Sequence, residues 1–117
     1  MKKPKVPPDT EYTFRLSGED WTLAIHTPGE KESLGGDANH GKHLIRINRM
    51  YKGSEFRDYL LHELFEAASM IVGCSYSRSF PEEMSMFVMT HTDMNLVATI
   101  VRAAYDDVIE VVGKVAV

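Results

Sequence analysis

The amino-acid sequence predicts an α+β domain in which a small antiparallel β-sheet is followed by two long helices. Three observations carry that prediction. Apolar residues alternate with polar ones at Tyr12, Phe14 and Leu16 and again at Trp21, Leu23 and Ile25, the period of half-buried strands. Apolar residues recur at helical spacing over residues 55–72, and they do so again over residues 91–112. A length of 117 residues suits one hydrophobic core, and a composition of 44% apolar and 26% charged residues is that of a globular chain.

Residues 1–11 read as an extended, flexible lead-in, because Met1 to Pro8 holds three lysines and three prolines. A single domain then spans 12–117. Its first element is a hairpin with one buried face, turning at Ser17-Gly18-Glu19-Asp20. Thr27 to Gly41 is rich in glycine and polar residues and reads as a surface loop. A third strand runs from His43 to Asn48. The first helix is expected from Glu55 to Val72, with Ser54 as N-cap and Gly73 as the stop. Phe56, Leu60, Leu61, Leu64, Phe65, Ala67, Ala68, Ile71 and Val72 form its apolar side, whereas Glu55, Asp58, His62, Glu66 and Ser69 form a polar strip with Glu63 at the border. Cys74 to Met89 admits two readings. Pro81-Glu82-Glu83 can open a short helix, while Met84, Met86 and Val88 alternate as a strand does. Thr90 and Asp93 make a capping box that starts the last helix, His91 to Val112, with Met94, Val97, Ala98, Val101, Ala104, Tyr105, Val108, Ile109 and Val112 as its core stripe.

The formal charge of -4, from 13 basic and 17 acidic residues, gives no electrostatic reason to expect nucleic acid. No stretch resembles a secretory leader or a membrane span, and the single cysteine excludes an intramolecular disulfide. The expectation is a soluble, cytoplasmic protein.

The run Leu60-Leu61-His62-Glu63-Leu64-Phe65-Glu66-Ala67 carries the chemistry. His62 and Glu66 are four apart, so on a helix both side chains can reach one metal ion. Glu63 is adjacent, where its carboxylate can hold a water without being a ligand. This is the H-E-x-x-H helix of metalloproteases with Glu66 in place of the second histidine. Catalytic zinc accepts two imidazoles and one carboxylate, so the third ligand should be a histidine. His91 is the candidate: spacings of seven align it with Ala98, Tyr105 and Val112, which points it inward. Glu82 and Glu83 are the alternatives. His26, His40 and His43 read as non-ligands, having no local carboxylate at metal spacing.

These residues resemble the small zincin-like metallopeptidase family of phages and bacteria. The resemblance rests on Leu44-Ile45-Arg46-Ile47-Asn48 leading into the His62 to Glu66 helix, and on Met89-Thr90-His91-Thr92-Asp93-Met94, similar to the Thr-His that opens a helix in the H-E-x-x-E branch. It covers about Asp37 to Tyr105 and implies a minimal zincin-like fold, His62, Glu66 and His91 as zinc ligands, and Glu63 as the general base. The expected activity is zinc-dependent hydrolysis of a peptide or protein amide bond by a metal-bound water. The rival expectation is a non-catalytic interaction module with a vestigial or structural metal site. Leu96, Ile100 and Val111, off the core stripe, then offer a homodimer surface.

Overall fold

A computed structural model describes residues 9–27, 36–73, 75–79, 84–88 and 90–113. Within them the chain forms β1 (Thr10–Leu16), β2 (Glu19–His26), β3 (Gly36–Asn39), β4 (Leu44–Asn48), α1 (Gly53–Val72), β5 (Ser75–Ser79), β6 (Met84–Val88) and α2 (His91–Val112). This is the α+β order expected. The main sheet has the order β1-β2-β4-β3, and β5 and β6 make a separate antiparallel pair. The strand reading of Met84 to Val88 is therefore the one found. Glu82, Glu83, Cys74 and the tail 114–117 lie outside the described residues.

The sheet departs from expectation in one respect. β1 and β2 form the antiparallel hairpin, with Phe14 opposite Trp21. β4, however, lies parallel to β2, with Ile45 beside Leu23 and Ile47 beside Ile25, so the sheet is mixed. Parallel neighbours need a crossover of a dozen or more residues, and the segment expected to be a plain surface loop provides it. Part of that segment is β3, antiparallel to β4 with Asp37 opposite Arg46. A connection of that length without structure is uncommon in a compact domain, which is the signal the glycines masked.

One face of the sheet contributes Phe14, Leu16, Trp21, Leu23, Ile25, Ile45 and Ile47 to the core. Phe56, Leu60, Leu64 and Ala67 of α1, with Ala104, Val108 and Val112 of α2, cover it. α1 packs against β3 and β4, whereas α2 packs against α1 and β1. The two helices thus lie side by side on that face, α1 towards the β3 edge and α2 towards the β1 edge. Asp107 of α2 accepts a hydrogen bond from the backbone N–H of Arg15 on β1, at 2.6 Å.

Helix boundaries follow local chemistry. α2 has the expected capping box: Thr90 Oγ1 accepts from Asp93 N–H, and Asp93 Oδ2 accepts from Thr90 N–H, each at 3.1 Å. α1 starts two residues before the expected Glu55, capped by Lys52 with no side-chain bond, so Ser54 is inside the helix. Gly73 ends it in the left-handed conformation (φ 83°), its N–H donating to Met70 and Ser69 carbonyls, as a helix-terminating glycine does. Ser69, assigned to the polar strip, is buried, its hydroxyl donating to the Phe65 carbonyl at 2.7 Å. Leu61 and Phe65, assigned to the apolar side, are exposed, as is Met94 of α2. The buried side of α1 is rotated by part of a turn from the one hydrophobicity alone selects, because it also faces β3.

Candidate metal centre

That rotation places Glu63. Its side chain turns into the interior against Gly36 of β3, and only 4% of the residue is exposed. A Cβ at position 36 would stand 2.7 Å from the Arg46 carbonyl oxygen and 3.5 Å from Glu63 Cγ. Glycine is therefore what lets β3 approach both β4 and the carboxylate closely.

His62 and Glu66 flank Glu63 on the same helical turn. His62 Nε2 is 3.3 Å from Glu66 Oε1 and 3.7 Å from Glu63 Oε1. Donor atoms of the three residues lie within 4.8 Å of one another, which is the one such grouping of histidine, cysteine and carboxylate side chains among the described residues. His62 is exposed, Glu66 half-buried and Glu63 buried, so the group spans from solvent to core. Two ligands of one ion at about 2.1 Å each, at a tetrahedral angle, are roughly 3.4 Å apart, close to the spacing of His62 and Glu66.

Electrostatics marks the same point. Glu63 Oε2 has no hydrogen-bond partner among the described residues, an expensive state for a buried carboxylate oxygen. Burial, with the charges of Glu66 and Asp37 acting in the same direction, pushes the Glu63 carboxyl up to about 7. Asp37 is itself held by Arg46, Nε to Oδ1 at 2.9 Å and Nη2 to Oδ2 at 2.5 Å. A cation held by His62 and Glu66 beside Glu63 would offset the like charges. The residues therefore fit a divalent ion.

His91 does not join them. It sits exposed in the first turn of α2. The buried line of that helix is Val97, Ala104, Val108 and Val112, and a step of six back from Val97 turns His91 away from it. Counting in sevens from Val112 led through Ala98, which is exposed. α2 also packs on β1, at the other edge of the sheet from β3, with α1 between.

Gly36, Asp37 and Arg46 escaped the sequence reading because β3 did. The signal available was Arg46 itself: its neighbours Ile45 and Ile47 face the core, so its guanidinium lies on the other face and takes a carboxylate from the adjoining strand. Compared with known proteins, the chain matches no family model, no curated protein and no solved structure.

Proposed function

We propose that the chain is a zinc-dependent amide hydrolase of the metallopeptidase kind, acting on a peptide or protein. The observation that carries this reading is the convergence on one point of His62, Glu66 and the buried Glu63 carboxylate, whose Oε2 has no partner among the described residues. His62 and Glu66 hold the ion, one from the solvent side and one from the half-buried side. The ion supplies Lewis-acid activation of water and of the scissile carbonyl. Glu63 accepts the proton of the attacking water and delivers it to the leaving nitrogen. Its burial keeps bulk water from competing for that proton, and the lack of a Cβ at Gly36 leaves its side chain room on the sheet side. Replacing a neutral imidazole by Glu66 adds negative charge at the ion, which lowers its Lewis acidity and predicts slow turnover.

Glu63→Gln keeps the shape and removes the basic carboxylate. Hydrolysis of a mixed peptide library should fall by about two orders of magnitude, the scale of general-base catalysis, with bound metal unchanged. In His62→Ala/Glu66→Ala the bound metal should fall by one equivalent and hydrolysis should cease. Cleavage that survives Glu63→Gln removes Glu63 as the base. A parent that holds zinc at this site and cleaves nothing favours the interaction module instead. Met94, Leu96 and Val111, large apolar side chains left exposed on α2, support that second reading.

A further inference from the structure

A second group of donors stands near the C-terminal end of α1. The turn from His40 to His43 is closed by the His43 N–H donating to the His40 carbonyl at 3.3 Å, and Lys42 N–H donates to Asn39 Oδ1 at 3.0 Å. His43 adopts a left-handed backbone conformation (φ 50°), unusual for a residue with a Cβ, and its carbonyl accepts from Thr22 N–H on β2 at 2.9 Å. The turn lays the His43 imidazole flat on the buried indole of Trp21, with ring centroids 4.9 Å apart and planes 5° from parallel. Held there, His43 Nε2 lies 3.3 Å from Glu19 Oε2 at the start of β2. The exposed His40 ring stands edge-on, 5.9 Å from the centroid of His43. Glu19, His40 and His43 open on a cleft of about 430 Å³, walled on its far side by Met70 and Ile71 of α1.

We propose that Glu19, His40 and His43 form a cation site of their own, separate from the α1 centre and selective for a first-row transition ion such as Zn2+ or Ni2+. Two imidazoles and one carboxylate are the donor set that borderline ions favour over Mg2+ or Ca2+. The spacing of His43 Nε2 and Glu19 Oε2 again approaches the roughly 3.4 Å of two ligands sharing an ion. Two imidazoles on one tetrahedral ion have centroids about 5 Å apart, so the exposed His40 ring, now 5.9 Å from that of His43, must move in and turn a nitrogen to the ion for the set to close. The sequence reading set these histidines aside for want of a carboxylate nearby in the chain. The hairpin supplies one from 24 positions away, because β2 and β4 run parallel and bring the start of β2 to the start of β4. An ion there would tie the β1–β2 turn to the β3–β4 turn.

Trp21 is the only tryptophan in the chain, and its stacking on His43 makes it a close reporter of this site. Tag-free protein titrated with Ni2+, a paramagnetic quencher, should lose Trp21 fluorescence saturably, and Zn2+ should compete and restore it. The double variant His62→Ala/Glu66→Ala should quench as the parent does. His40→Ala and Glu19→Gln, both at exposed positions, should each weaken Ni2+ binding by at least about tenfold, since even groups behind the ligands contribute that much. The proposal is overturned if Ni2+ leaves the fluorescence unchanged, if both single variants bind with parent affinity, or if the His62/Glu66 variant loses the quenching. In the last case the ion sits at the α1 centre.

Discussion

α1 and α2 are nearly the same length, 20 and 22 residues, and each buries an apolar stripe against the same sheet, yet they are built to different standards. α2 begins with a reciprocal capping box, buries only Val97, Ala104, Val108 and Val112, and keeps its charges in solvent or, as at Asp107, on a backbone donor. α1 begins with no side-chain cap and buries a carboxylate one of whose oxygens has no partner among the described residues. Marginal stability leaves little room for such a cost unless something else offsets it. The contrast separates a helix that serves the fold from one that carries the fold's chemistry.

The largest test of that contrast sets two neighbouring residues of α1 against each other. Leu64 is fully buried, so Leu64→Ala should cost about 3 kcal/mol, measurable by chemical denaturation. Glu63, one position earlier, should behave oppositely in chelator-treated protein. Its carboxyl is raised from 4.5 to about 7 in the folded state, so between those values the folded chain binds more protons than the unfolded one. Stability should then fall as pH rises from about 4.5 to 7 and stay low above that. Glu63→Gln should abolish that slope and raise stability at pH 8 by about 2 kcal/mol, with little effect at pH 4. A variant less stable than the parent at pH 8 would show that the carboxylate is satisfied without metal.

The smallest test concerns the helix starts. Thr90→Ala removes the α2 capping box and should cost about 1 kcal/mol. Ser54→Ala should change stability by less than about 0.5 kcal/mol, because Ser54 caps nothing. Equal losses in the two variants, read from urea midpoints, would erase the distinction between the helices.

These differences also explain what could be read from residue order. The hairpin, the two helix periods and the Gly73 stop are local signals, and Thr90 with Asp93 is a local motif, so all were legible. The pairing of β4 with β2 was not. Pairing is decided by which apolar faces meet across a crossover, and the segment that hid β3 offered glycines instead of alternation. His62 and Glu66 follow from a one-turn spacing. The burial of Glu63 does not, since it depends on Gly36 letting β3 come close. The inward phase given to His91 was counted through Ala98, which is exposed, and a phase along one helix says nothing about which edge of the sheet that helix covers.

The Asp107 carboxylate on the Arg15 N–H has a consequence beyond joining α2 to the sheet. Among the described residues β1 is one of two strands whose outer side has no neighbour in the main sheet, and at seven residues it is the longer, against four for β3. An unpaired strand edge is a template for another chain's backbone. By occupying a donor near the end of that edge and placing a charge there, the helix denies a foreign strand its register, so the same contact that closes the fold also keeps copies of the molecule from growing onto one another as a shared sheet.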